Sequence, residues 1–218
     1  MIAINFGCGS SPTPGYINID NSFSFLLARS RFASYILYKV KLIDSGMYGF
    51  IKNIQKSSHT VKRSLASVNL KENSVDVIYS SMVLHHMTKE NFIIQCTDFY
   101  SLLNNGAVMR VVLPDIDVII DEYKTSGETN ILNYKLCNFQ DLERNCSSRI
   151  NILKLFLTGY RGRMCLFSFK DVQECLLEIG FKSVVRLDAG TTSNNSDLGE
   201  LDLYEREAER PMYIEAIK

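Results

Sequence analysis

The chain has 218 residues, of which 46% are hydrophobic and 22% are charged, and its formal net charge at pH 7 is zero. These values are typical of a globular protein that is large enough to bury one substantial core. General nucleic-acid binding usually requires a basic excess, so the balanced charge argues against a nucleic-acid partner. No apolar run reaches the roughly 18 residues that a membrane-spanning helix needs.

The six cysteines show no spacing that is typical of a zinc site or of a redox pair. We therefore expect no metal ion, and mostly buried free thiols in a reducing compartment. The first predicted strand begins at residue 2, and no basic leader precedes it. This pattern favours a cytoplasmic protein.

Short apolar runs alternate with helical patterns along the chain, which predicts an α/β fold with helices on both faces of a sheet. The predicted strands are 2–6, 16–20, 60–65, 75–80, 107–113, 182–188 and 212–217. The predicted helices are 23–43, 47–55, 89–103, 115–125, 130–140, 149–158 and 169–179. We expect a single domain, residues 1–218, in which the insertions 21–58 and 115–168 form a lid and the acceptor pocket.

The first strand ends in Gly7-Cys8-Gly9, and the second strand ends in Asp20. Glycines at a strand end let a ligand approach the backbone, and a carboxylate at the next strand end can accept both hydroxyls of a ribose. The pattern indicates a cofactor that contains a nucleoside. The link of residues 10–15 is too short for a full crossover helix, so we expect a tight loop or a single helical turn there.

Residues 21–58 hold six basic side chains against Asp44 alone, and their apolar residues recur at helical spacing. We favour a lid helix as the explanation of this pattern. Its apolar face would pack on the domain, and its basic face would lie in solvent. A basic amphipathic helix can also lie on an anionic membrane surface. Peripheral membrane contact through residues 29–56 therefore stays open.

Several later segments resemble, in order, the motifs of class I S-adenosylmethionine-dependent methyltransferases. Residues 74–86 (SVDVIYSSMVLHH) resemble the fourth-strand region of that family, and residues 101–107 (SLLNNGA) resemble the turn before its fifth strand. Residues 176–181 (LLEIGF) resemble its last helix-to-strand junction. The closest resemblance is to a bacterial subgroup of predicted methyltransferases that is associated with cell-surface polysaccharide genes. Residues 5–9 (NFGCG), 14–20 (PGYINID) and 113–115 (LPD) match its motifs.

This resemblance implies a Rossmann-like, seven-stranded mixed sheet with an antiparallel final strand. It also implies S-adenosylmethionine as methyl donor and S-adenosylhomocysteine as product. The candidate cofactor-binding residues are Gly7, Cys8, Gly9, Asp20, Asn21, Ser64, Leu65, Ser80 and Ser81. Of these, Asp20 would hold the ribose, and Ser64 stands where many relatives carry an aspartate that accepts from the adenine amino group.

Each of these assignments has a structural alternative. The glycine pair also suits an ordinary turn, and Cys8 between the glycines is best explained as a small packing residue. Asp20 could instead cap the helix that follows it, and Ser80 and Ser81 could form the turn that caps the next helix.

The candidate catalytic residues are His86, His85 and Asp115. Methyl transfer from a sulfonium is an in-line displacement, so the protein mainly aligns the donor and the acceptor. A hydroxyl acceptor additionally needs a base, and a histidine suits that role. His86 matches the family's histidine, whereas His85 replaces its glutamate. The histidines could instead order the loop, and Asp115 could cap the helix that begins after it.

We therefore expect a methyltransferase that acts on a hydroxyl of a sugar or glycan intermediate, or on another small molecule. A non-catalytic methyltransferase-like module, which senses the cofactor or binds a partner, is the alternative, because the third-strand aspartate and the glutamate before His86 are both missing. A nicotinamide-dependent oxidoreductase is disfavoured, because Gly7-Cys8-Gly9 lacks the third glycine and the long helix of that fingerprint. A nucleic-acid methyltransferase would need a basic surplus or a base-flipping motif.

Overall fold

The computed structural model of the protein describes residues 1–57, 60–132, 165–193 and 210–218. The strands are β1 (Ala3–Phe6), β2 (Ile17–Ile19), β3 (Val61–Lys62), β4 (Val75–Ser81), β5 (Leu103–Leu113), β6 (Ser183–Leu187) and β7 (Met212–Ile217). The helices are α1 (Phe23–Ala28), α2 (Arg31–Lys39), α3 (Ser45–Lys56), α4 (Lys89–Leu102), α5 (Ile116–Ser126), α6 (Thr129–Leu132) and α7 (Phe169–Ile179). Two 3₁₀ helices lie at Leu65–Val68 and Leu84–His86.

The described strands form one sheet in the order β3-β2-β1-β4-β5-β7-β6. Strands β1 to β5 pair in parallel, and β7 runs antiparallel between β5 and β6. The predicted fold class is therefore confirmed: the described strands form the seven-stranded mixed sheet of the class I methyltransferase fold. The strand order reverses between β1 and β4, and ligands of open α/β sheets bind at the carboxyl ends of the strands at such a point.

The larger core lies between one face of the sheet and helices α4 and α7. Helix α4 contributes Phe92 and Phe99, and α7 contributes Val172 and Leu176, all of them fully buried. A second apolar cluster covers the opposite face of the central strands. None of the helices among the described residues is long and apolar enough to cross a membrane.

The prediction of one helix over residues 23–43 is wrong, because the chain forms α1 and α2 instead. Ser30 separates them: its side chain accepts a hydrogen bond from the backbone N–H of Ala33, which starts a new helix. The third strand is also shorter than the predicted 60–65. Helix α6 begins one residue before the predicted helix 130–140. Residues 133–140 and all of the predicted helix 149–158 lie outside the described residues.

Strands β1 and β2 are joined by a tight loop without a helix, which decides between the two expectations for this link. Two buried asparagines hold the loop. The Asn18 side-chain oxygen accepts from the Thr13 N–H at 2.7 Å, and its amide nitrogen donates to the Thr13 carbonyl at 2.9 Å. The Asn5 amide donates to the Thr13 hydroxyl at 2.8 Å. Hydrogen bonds from strand side chains therefore replace the crossover helix that parallel strands usually need.

Candidate functional site

Asp20 lies at the carboxyl end of β2 and joins three segments of backbone. Its N–H donates to the Lys62 carbonyl of β3 at 2.9 Å, which fixes its position. One carboxylate oxygen accepts from the Gly9 N–H at 2.9 Å, and the other accepts from the Ser22 N–H at 2.7 Å. The N-cap residue of α1 is Ser22, so the alternative in which Asp20 is the helix cap is wrong. The carboxylate instead faces the glycine loop.

A cavity of about 230 Å³ opens at this end of the sheet. Gly9 and Asp20 lie on one side of it, and Val61 and Arg63, at the end of β3, lie on another. Helices α1 and α3 complete the wall, with Arg29 at the end of α1. Pockets that bury a whole small ligand usually measure about 300–1,000 Å³, so a cavity of this size suits one part of a larger cofactor, such as its nucleoside.

Helices α1, α2 and α3, which are the described part of the predicted 21–58 insertion, have a small core of their own around Ile43, Met47 and Ile51. The ring of Tyr38 in α2 stacks on that of Tyr48 in α3, with ring centroids 4.5 Å apart. This unit places α1 and α3 beside the cavity, where a lid would have to be. That it closes over a bound cofactor stays a prediction.

Gly7 has a reason within the fold to be a glycine, besides the ligand approach that the sequence predicts. Its φ is +76°, and a Cβ at this position would lie 2.2 Å from a methyl carbon of Val83. The loop after β1 therefore packs directly on the loop after β4. Gly9 has a φ of +53°, and a Cβ there would lie 3.6 Å from the Phe50 ring of α3, an ordinary contact distance. Gly9 is the glycine that lines the cavity.

Ser80 and Ser81 end β4, the neighbour of β1. Their buried hydroxyl oxygens have no hydrogen-bond partner among the described residues. Buried polar atoms are usually paired, so these two hydroxyls are unusual. That they face the cofactor stays a prediction. Because successive side chains of a strand point to opposite faces, only one of the two faces a given side of the sheet. The alternative of helix-capping serines is wrong, since Thr88 caps α4.

Ser64 and Leu65 do not line the cavity at the predicted adenine position. Ser64 caps the first 3₁₀ helix, with its hydroxyl accepting from the Ser67 N–H at 3.3 Å. Leu65 packs against the main core. Val61 and Arg63 occupy the cavity wall instead, and Asn21 is exposed to solvent. The sequence signal for Arg63 was its place inside the predicted third strand, residues 60–65.

Cys8 is buried between the two glycines, and it behaves as a packing residue. Burial, followed by the nearby Asp20 carboxylate, raises the pKa of its thiol to about 12. Because the thiolate is the reactive form, a thiol of this kind is chemically inert at neutral pH.

We expect Cys8 to react with iodoacetamide at pH 8 roughly a hundredfold more slowly in the native protein than in the unfolded chain, whose cysteines have a pKa near about 8.5. Replacing Asp20 with asparagine removes one of the two causes of the raised pKa and should speed the reaction. Pulsed alkylation with peptide mapping measures both rates. Equal rates in the native and unfolded protein would show that the thiol is not protected.

His85 and His86 lie in the second 3₁₀ helix, with ring centroids 4.0 Å apart. His85 is buried, and its backbone carbonyl accepts from the Cys165 N–H at 3.2 Å. His86 is exposed, so it is the more accessible of the two. The loop that carries them begins at Val83, the residue that contacts Gly7. This geometry favours an ordering role for His85, and a catalytic role for either one stays a prediction.

Asp115 is the N-cap of α5, as the structural alternative required. One carboxylate oxygen accepts from the Asp117 N–H at 3.0 Å, and the other lies 2.7 Å from the Arg186 guanidinium. The residue is buried. Both oxygens are therefore engaged within the fold, which makes Asp115 a weaker base candidate than His86. Among the described residues, no group of three or more His, Cys, Asp or Glu side chains could hold a metal ion.

No protein-family model matches the chain, and a comparison with curated proteins finds no match. Solved structures do resemble it. A SAM-dependent methyltransferase from Archaeoglobus fulgidus is 11% identical, with a TM-score of 0.49 and coverage of 99% of this chain and 85% of that one. A SAM-dependent methyltransferase from Mesorhizobium loti is 10% identical, with a TM-score of 0.44 and coverage of 100% and 90%.

A possible exported protein from Bordetella parapertussis is 13% identical, with a TM-score of 0.48. All of this chain is covered in that comparison, but the chain spans only 61% of the Bordetella protein. These similarities concern the course of the backbone. The strand order and the antiparallel β7 carry the fold assignment.

Proposed function

We propose that this protein is an S-adenosylmethionine-dependent methyltransferase. The observation that carries the proposal is the Asp20 carboxylate, which lies in the wall of a cavity at the carboxyl end of β2 and 2.9 Å from the Gly9 N–H. β2 lies beside β1, one strand from the point where the strand order reverses, and the remaining lone pairs of the two Asp20 oxygens would accept from the hydroxyls of a ribose.

Different residues at this end of the sheet would bind different parts of the cofactor. Asp20 would bind the ribose, and Val61 and Arg63 would flank the adenine. The backbone around Gly9 and one of the two serine hydroxyls that end β4, which have no hydrogen-bond partner among the described residues, would face the methionine part. When bound, S-adenosylmethionine supplies a methyl group on a positively charged sulfur. The protein's own contribution is to align that group with the acceptor and to exclude water.

As the acceptor we propose a hydroxyl of a sugar or glycan intermediate, or of another small molecule. The support is the resemblance of residues 5–9, 14–20 and 113–115 to the polysaccharide-associated subgroup. A hydroxyl must lose its proton as the new bond forms, and His86, exposed on the loop after β4, would accept it.

No specific observation favours the non-catalytic alternative. The tight link between β1 and β2 argues against a nicotinamide-dependent oxidoreductase, because a dinucleotide's pyrophosphate normally binds at the N-terminus of a helix that follows the glycines. The described residues 10–16 contain no such helix.

Replacing Asp20 with asparagine should weaken S-adenosylmethionine binding by about tenfold to a hundredfold, because a charge-assisted hydrogen bond contributes roughly 1.5–3 kcal/mol. Isothermal titration calorimetry of both proteins measures the change. Asp44→Asn is the matched control: Asp44 caps α3 by accepting from the Met47 N–H and does not line the cavity. Equal affinities of wild type and Asp20→Asn would contradict this site.

Turnover distinguishes an enzyme from a binding module. Transfer of a labelled methyl group from S-adenosylmethionine to a panel of glycosides and small hydroxyl compounds should give product with at least one acceptor. Tight cofactor binding together with no transfer to any member of a broad panel would favour the non-catalytic alternative instead.

A further inference from the structure

The outer face of α2 is an unusually apolar part of the surface. Phe32 is 75% exposed, Val40 is 57% exposed, Tyr35 is 46% exposed and Ile36 is 40% exposed. Positions i, i+3, i+4 and i+8 of a helix lie on the same side, so the four side chains form one continuous stripe. We call these four residues the α2 stripe.

The opposite face of α2 is the one that packs on the protein. Ser34 is buried, and its hydroxyl accepts from the Gln55 amide of α3 at 3.3 Å. Tyr38 stacks on Tyr48 of α3. The helix is therefore held in place by its inner face, and the α2 stripe points away from the core that this helix helps to form.

Cations surround the α2 stripe. Arg29 and Arg31 stand at its N-terminal end, and Lys39 and Lys41 stand at its C-terminal end, all of them exposed. The Lys39 ammonium lies 5.4 Å from the centre of the Tyr35 ring, inside the stripe. No acidic residue occurs from position 29 to position 43. The surface thus combines apolar and aromatic side chains with a rim of one charge sign.

We propose that the α2 stripe docks on an anionic lipid surface. Apolar and aromatic residues on a helix that lies in the membrane plane enter the interface, while lysine and arginine bind the anionic headgroups. A second copy of the chain is a poor occupant, because a symmetric contact would place these cations against the same cations. Arg29 also lines the cavity, so docking would bring the cavity mouth close to the membrane.

The chain has no tryptophan, which allows a single-tryptophan probe. In Phe32→Trp, the emission should shift to the blue when vesicles of phosphatidylcholine with phosphatidylglycerol are added, and should not shift with phosphatidylcholine alone. Ile94→Trp is the matched control, because Ile94 is an exposed apolar residue of α4, 58% accessible and outside the stripe. Its emission should stay unchanged with both kinds of vesicle.

Co-sedimentation measures the affinity. Phe32→Asp should bind anionic vesicles at least about tenfold more weakly than the wild type. Lys39→Glu should bind them at least about fivefold more weakly, which is the effect expected for one basic residue near an anionic surface. Ile94→Asp should bind like the wild type, and circular dichroism checks that all variants fold.

Three results would overturn the proposal: no binding of the wild type to anionic vesicles, equal binding of Phe32→Asp and wild type, or a blue shift of Phe32→Trp that follows protein concentration without vesicles. The last result would assign the stripe to contacts between copies of the chain. None of these outcomes depends on whether S-adenosylmethionine binds.

Discussion

Replacing Arg110 with methionine is expected to lower the free energy of unfolding by about 3–5 kcal/mol, because it leaves the carboxylate of Glu215 buried without its cation. Both side chains are completely buried, and a guanidinium nitrogen of Arg110 lies 2.8 Å from a carboxylate oxygen of Glu215. The two residues are direct cross-strand neighbours on β5 and β7. The other carboxylate oxygen accepts from the Ser193 N–H at 2.9 Å.

Urea denaturation followed by circular dichroism measures this loss. The exposed pair of Lys124 and Asp121 is the matched control, and Asp121→Asn should cost less than about 1 kcal/mol. The double variant Arg110→Met/Glu215→Leu should recover much of the loss, since an apolar pair leaves no buried charge. A loss below about 1 kcal/mol for Arg110→Met would show that water or movement relieves the isolated carboxylate.

Gly7→Ala is expected to destabilise the protein by about 2–5 kcal/mol. The positive φ of Gly7 costs a residue with a Cβ roughly 1–2 kcal/mol, and the forced contact with Val83 adds about 1–3 kcal/mol of overpacking. Thermal and urea denaturation measure the sum. The effect would be structural, so it should appear with no cofactor present.

Gly15→Ala separates the two causes. Gly15 has nearly the same positive φ, +77°, but a Cβ there meets nothing within 4 Å. It should therefore show the backbone cost alone, and the difference between the two variants gives the cost of the contact with Val83. Equal losses for both variants would mean that the loop after β4 moves aside freely.

The order of the motifs was enough to predict the fold, because each motif marks a strand end whose place in the sheet is fixed by the topology. The helix boundaries in residues 21–58 were harder to predict from the sequence. Hydrophobic periodicity continues through Ser30, and only the side-chain bond from Ser30 to the Ala33 N–H shows that one helix stops and another begins. Caps of this kind compete with helix continuation by small free energies that a pattern does not resolve.

The position of Asp20 at the end of β2 was predicted correctly from the sequence, but the local structure at Ser64, which the sequence placed in the third strand, was not. Counting along the chain placed Ser64 there, whereas β3 ends two residues earlier and Ser64 starts a 3₁₀ helix. Asn5 and Asn18 read as ordinary strand residues, and their hydrogen bonds to the loop depend on contacts that strand periodicity does not encode. Side-chain hydrogen bonds across a turn are decided by tertiary geometry.

Calorimetric titration of the wild-type protein with S-adenosylmethionine, with NAD titrated in parallel, tests most directly whether the cavity beside Asp20 is a methyl-donor site. The predicted result is saturable binding of S-adenosylmethionine with a Kd in the micromolar range, about −8 kcal/mol, and no saturable binding of NAD. No heat and no thermal shift with either S-adenosylmethionine or S-adenosylhomocysteine, or saturable binding of NAD alone, would contradict the proposed function.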